Sequence, residues 1–168
     1  PADLKGLKIR TPADTMTIDI FQALGAATEQ IAFSELYVAL QQGVVDGQEN
    51  PLANIASSKI YEVTPFISLS AHKWESTPFL MSKIAQGRIG EAELAAIQEA
   101  AREAGDLQRG LMKEAAVKHL AEFKADSSLT VNEVDRAAFQ AATARVADTW
   151  TAKPFGDFVK RLIEAARG

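Results

Sequence analysis

Residues 3–25 read Asp3-Leu4-Lys5-Gly6-Leu7-Lys8-Ile9-Arg10-Thr11-Pro12-Ala13-Asp14-Thr15-Met16-Thr17-Ile18-Asp19-Ile20-Phe21-Gln22-Ala23-Leu24-Gly25. Leu7 to Arg10 alternates apolar and basic side chains, as a half-buried strand does. Thr11-Pro12 ends that strand, because proline has no N–H to continue a ladder. Asp14 is placed to cap a helix carrying Ile18, Phe21 and Leu24, and Gly25 stands just past its end. The same alternation continues downstream. Thr28 to Ala32 suits a second strand, and Ser34 is positioned to cap a helix whose apolar residues Leu36, Ala39 and Leu40 recur at helical spacing. Gly43 stops that helix, and Val44 to Asn50 reads as a short strand breaking into a polar loop before Pro51. Strand and helix in alternation define an α/β unit. Further on, Ile55–Val63 is predicted helical, and Phe66–Ser70 and Phe79–Ser82 are predicted strands.

Beyond residue 90 the composition shifts to Ala, Glu and Lys/Arg, and the pattern becomes helical. Leu94, Ile97, Ala101, Ala104, Leu111 and Ala115 are spaced by threes, fours and sevens up to Phe123. As one helix, residues 90–123 would span about 50 Å at 1.5 Å per residue. Gly105 and Gly110 each cost about 1 kcal/mol relative to Ala, which marks sites for a kink or break. Such a helix either links two lobes or packs as an amphipathic helix on one core. Leu129–Val131 is a strand candidate, followed by helices near 135–150 and 155–167.

The chain has 168 residues, with 18 Lys and Arg against 22 Asp and Glu for a net charge of −4. With no basic block, it lacks the electrostatic footprint of a nucleic-acid binder. The absence of cysteine excludes disulfides, thiolate metal sites and cysteine nucleophiles together. No apolar run approaches the roughly 18 residues that span a bilayer. Pro1-Ala2-Asp3-Leu4-Lys5-Gly6 reads as a mid-chain connection entering a strand.

Enzyme signals are weak. His72 and His119 sit in no metal-ligand spacing, and a lone histidine is usually a hydrogen-bonded structural residue. No phosphate-cradling glycine loop, nucleophile elbow or zinc motif is present. Glu35, Asp46 and Glu49 have solvated or capping roles as their default reading. What stands out is a polar set at the carboxyl ends of predicted strands, where open α/β sheets bind ligands. Arg10 ends the first strand and offers a planar, permanently charged fork that matches a carboxylate bidentately. Its bland alternative is a surface ion pair. Gln48, Glu49 and Asn50 end another strand, and Asn50 supplies both a donor and an acceptor.

The segment Asp3–Pro12 resembles the DLKGLKIR-x-P segment of the solute-binding proteins of TRAP (tripartite ATP-independent periplasmic) transporters, the DctP-like family. Ala32-Phe33-Ser34-Glu35-Leu36-Tyr37-Val38-Ala39-Leu40-Gln41-Gln42-Gly43-Val44-Val45-Asp46-Gly47-Gln48-Glu49-Asn50-Pro51 is similar to that family's most recognisable stretch. Lys59, Tyr61-Glu62-Val63 and Ser68-Leu69-Ser70-Ala71-His72 follow the family pattern in order. The resemblance covers about the first 83 residues.

This resemblance implies a periplasmic receptor that captures a small organic acid and delivers it to a sodium-coupled TRAP permease complex. The implied fold is α/β, periplasmic-binding-protein-like and two-lobed, and this chain corresponds to the C-terminal half. Residues 1–75 and 116–168 would form most of the second lobe. Residues 76–115 would cross to the first lobe as a strand and long helix. The family's carboxylate-binding arginine falls on Arg10, its ligand-contacting asparagine on Asn50, and an aromatic pocket wall on Phe33. Gln48 and Glu49 are further candidates, as ligand contacts or as second-layer and hinge residues, and Trp74 is a candidate lining of the cleft. Phe33 also has a core reading, stapling the helix that follows. No catalytic residue, metal or cofactor is implied. Some sialic-acid receptors of the family carry a polar residue where this chain has Ala13, which favours a smaller or more apolar carboxylate. Residues 82–89 depart from the family's usual continuation, and the family's second binding arginine precedes the segment where this chain begins. The rival classes are an α/β enzyme acting on an organic acid, and a helical module that dimerises through the long helix.

Overall fold

A computed structural model describes residues 1–167. A short 3-10 turn at Ala2–Leu4 precedes β1 (Lys8–Thr11), which is followed by α1 (Thr15–Ala23) and β2 (Ala27–Gln30). Asp14 caps α1 as its position predicts, accepting from the backbone N–H groups of Met16 and Thr17. Gly25 lies at φ +89°, the left-handed conformation that ends a helix at little cost only for glycine. The chain continues through α2 (Leu36–Gln41), β3 (Gly47–Gln48), α3 (Leu52–Ser57) and β4 (Phe66–Leu69). Then come α4 (Lys83–Gln86), α5 (Glu91–Ala125), β5 (Thr130–Glu133), α6 (Arg136–Thr151) and α7 (Gly156–Arg167). The fold is α/β, as the sequence predicts.

Among the described residues the strands form two parallel sheets. One has the order β2-β1-β3, pairing Arg10 with Glu29 on one side and with Gln48 on the other. The second pairs β4 with β5. Each carries its own apolar cluster. Ile9, Ile20, Phe21, Leu24 and Ala26 pack between the first sheet and α1, with Phe139 and Val146 of α6 against them. Trp150 of α6 also donates to Asp19 of α1 at 2.8 Å. Leu36, Leu40, Val45, Ile55, Ile60, Ile67 and Phe123 form the other cluster. Leu36, fully enclosed at 0% exposure, sits at its centre.

Several elements depart from expectation. Ser34 caps nothing: it lies in a 3-10 turn, Phe33–Glu35, and Glu35 occupies the N-cap of α2 without a side-chain bond. The predicted helix Ile55–Val63 is two pieces, α3 and a 3-10 turn Ile60–Glu62, separated by Lys59 at φ +53°. The strand predicted at Phe79–Ser82 does not form. Its Phe79 and Leu80 stand exposed, and among the described residues no strand lies beside it to complete a ladder. The long helix runs unbroken through Gly105 and Gly110 for 35 residues. Only Phe123 of α5 is buried, and this residue plugs the larger cluster with its ring 5.4 Å from that of Tyr61. Nearer its start, Leu94, Ile97 and Ala101 line a small cavity with Phe79, Met81 and Gln86.

Candidate functional site

Arg10 is the best-defined feature at the strand ends. It is 3% exposed, and its Nε donates to the carbonyl of Ile31 at 2.8 Å. This bond comes from the residue just beyond β2, so pairing of β1 with β2 places the acceptor. The guanidinium lies over the Phe33 ring, 5.9 Å from its centroid, within cation–π range. Among the described residues its terminal nitrogens carry no hydrogen bond, and it joins no salt bridge. The surface ion-pair reading of Arg10 therefore fails. Burial pushes its pKa below the ordinary arginine value, and the charge of Glu49 pulls it partly back. Arginine still remains a cation at neutral pH. Phe33 is 40% exposed, so it is a half-open wall beside the cation rather than a core residue.

Strand register places Gln48 beside Arg10 on one face of the sheet. Asn50 follows two residues later, beyond the strand end. The side-chain oxygens of both Gln48 and Asn50 are buried with no partner, as is the hydroxyl of Thr11. Buried polar atoms without partners are uncommon in finished sites, since each costs about 1–3 kcal/mol. A ligand donor is one way to satisfy them.

Glu49 points elsewhere. Just past the end of β3, it is buried and lies 3.3 Å from His72 Nε2 and 3.7 Å from Lys73 Nζ. His72 Nδ1 lies 2.7 Å from the Ser70 hydroxyl, and the ring packs edge-on against Phe21 at 5.1 Å. A proton on Nε2 satisfies both bonds, donating to Glu49 and accepting from Ser70. His72 is thus the hydrogen-bonded structural residue its isolation in the sequence suggests. Trp74 is not brought to the cluster, standing 86% exposed on the chain that leaves β4. Lys73 carries little local sequence signal, because Asp14, Thr17 and Glu49 lie more than twenty residues away from it.

A groove of about 610 Å³ runs between β3 and the β4–β5 pair. Gln48, Asn50, Ile67, Ser68, Ser70 and His72 line it, whereas Arg10 and Phe33 do not. The strand-end cluster and the groove therefore meet at Gln48 and Asn50. Among the described residues no three His, Cys, Asp or Glu side chains converge as metal ligands. No described helix is long and apolar enough to cross a membrane.

Parallel strands with helices packed on them and polar side chains gathered at their carboxyl ends form one lobe of the α/β class. The chain belongs to the bacterial extracellular solute-binding protein family 7 (DctP), whose pattern it matches over residues 1–153. It is 66% identical over 149 residues to an uncharacterized protein of Sinorhizobium fredii, covering 89% of this chain and 27% of that one. A solute-binding protein of Verminephrobacter eiseniae is 37% identical over 167 residues, covering 99% of this chain and 50% of the relative. A TRAP periplasmic solute-binding protein of Sulfitobacter, solved with bound α-D-taluronate, superposes with a TM-score of 0.88 at 33% identity. That match covers 96% of this chain and 53% of the solved one. The chain thus spans half or less of the curated relatives named here.

Proposed function

We propose that the full-length protein is a periplasmic receptor that captures a small organic acid and delivers it to a TRAP permease complex. The observation that carries this reading is Arg10, buried at a strand end, fixed through Nε and left with its terminal nitrogens unpaired. A ligand carboxylate accepts two parallel, charge-assisted bonds from such a fork, and a desolvated cleft strengthens them. Asn50 and Gln48 orient a second oxygen or a hydroxyl, and Phe33 shields the pair from water. Reaction chemistry has no part in this proposal.

Residues 1–75 and 116–168 act as most of one lobe, and residues 76–115 carry the chain into the other. The exposed Trp74, Phe79 and Leu80 suit a segment that packs against chain outside these 168 residues. Closure follows from a ligand that touches both lobes and so favours the closed state. Leu107, Leu111 and Val117 stand exposed along α5. They suit cover by the rest of the receptor or by a second copy, and sedimentation at several concentrations separates the two.

A thermal-melting screen of the full-length protein tests the reading, using C4-dicarboxylates, keto acids, hydroxy acids, aromatic acids and uronates. An acid at about 100 times its dissociation constant adds roughly 2.7 kcal/mol. A selective rise of several degrees supports the receptor, and no rise with any acid removes it.

A further inference from the structure

Residues 70–82 carry no regular secondary structure, and this stretch begins at a conformational anomaly. Ala71 lies at φ +45°, in the left-handed region. Alanine has no side-chain hydrogen bond to offset the clash of its Cβ there, so surrounding contacts must hold the turn. The two residues that follow supply them. His72 is held between Glu49 and the Ser70 hydroxyl.

Lys73 is held more firmly still. Its Nζ donates to Thr17 Oγ1 at 2.9 Å and lies 3.7 Å from Glu49 Oε1, 3.6 Å from Glu75 Oε2 and 3.9 Å from Asp14 Oδ2. The side chain is largely buried, and Thr17 is fully so. One ammonium therefore ties three parts of the lobe together. They are the capped start of α1, the strand end that carries Asn50, and the chain departing from β4.

We propose that Lys73 is a positioning residue for ligand capture. By pinning the turn at Ala71 against Glu49 and the start of α1, it fixes the direction in which the chain leaves this lobe. The inference rests on the receptor reading above. A pinned exit restrains the lobes before ligand arrives, so less conformational freedom is lost on closure. With Lys73 released, that ordering falls on the binding step and affinity drops, although Lys73 touches no ligand.

The test uses the full-length protein, with calorimetry against D-glucuronate, D-galacturonate, succinate and L-lactate. Lys73→Met alone strands the buried Glu49 charge and can fail through instability. The decisive variant is therefore Lys73→Met with Glu49→Gln, which removes both charges. It is expected to melt with the wild type yet bind the preferred acid about tenfold or more weakly, within the usual range of coupling between sites. Lys73→Arg is expected to recover most of the loss, since it restores the cation. X-ray scattering of the ligand-free double variant is expected to show a larger radius of gyration than the wild type. A double variant that melts and binds as the wild type does overturns the proposal while leaving the receptor reading intact. A wild type that binds none of the four acids, nor any acid of the wider screen, overturns both.

Discussion

The strand ends of residues 1–75 and the outer length of α5 differ in what encloses them. At the strand ends, Arg10 and Glu49 are both buried, and each is fixed by partners distant in sequence. Along α5, ion pairs such as Lys118–Glu122 join neighbours one turn apart in solvent, and apolar Leu107, Leu111 and Val117 face outward. Exposed pairs of that kind contribute little, typically 0–1 kcal/mol. Tertiary packing therefore fixes the first region. The outer part of α5 rests on local helical preference, with its anchor at Phe123.

The largest expected stability contrast lies between two leucines. Leu36→Ala empties the centre of the larger cluster and is expected to cost about 2–5 kcal/mol, read from the urea midpoint. Leu111→Ala, at a site 55% exposed, is expected to cost about 0.5 kcal/mol or less in the 168-residue chain. A Leu111 cost in the full-length protein approaching that of Leu36 would show that other chain covers this face of α5.

Asp14→Ala is expected to cost about 1 kcal/mol by removing the cap of α1. Burial alone would raise the pKa of Asp14. The Thr17 hydroxyl, the N–H groups of Thr17 and Met16, and Lys73 outweigh it and hold the carboxyl below its ordinary value. Its stabilisation is therefore present above the unfolded pKa near 3.9 and is lost as pH falls through the lower folded value. Urea melts of Asp14→Ala and the parent chain should converge in that acid window. A gap that stays constant to the lowest pH would contradict the assignment.

Gly110→Ala is expected to act in the opposite direction, with a gain of about 0.5–1 kcal/mol. An added Cβ there meets nothing within 4 Å. A loss instead would mean that this part of α5 needs the flexibility of glycine.

The sequence made local features legible. The cap at Asp14, the stop at Gly25 and the spacing of Ile20, Phe21 and Leu24 are decided within a few residues, and the structure keeps them. Arg10 was legible because a strand end is a definite place in an α/β unit. Elements whose form depends on a partner were not legible. Phe79–Ser82 has strand composition but no neighbouring strand among the described residues. Ile55–Val63 has helical composition, yet Lys59 in the left-handed region divides it. The partners of Glu49 were hidden for a similar reason. His72 and Lys73 lie 23 and 24 residues onward and reach it only through the turn at Ala71.

In the proposed receptor, Arg10 holds the carboxylate of the ligand. Calorimetry of the full-length protein with its preferred acid, comparing wild type, Arg10→Ala and Arg10→Lys, tests it most directly. The expected result is a loss of about a hundredfold or more in Arg10→Ala, with little recovery in Arg10→Lys, because an ammonium cannot reproduce the fork. Wild-type affinity in either variant would contradict the account.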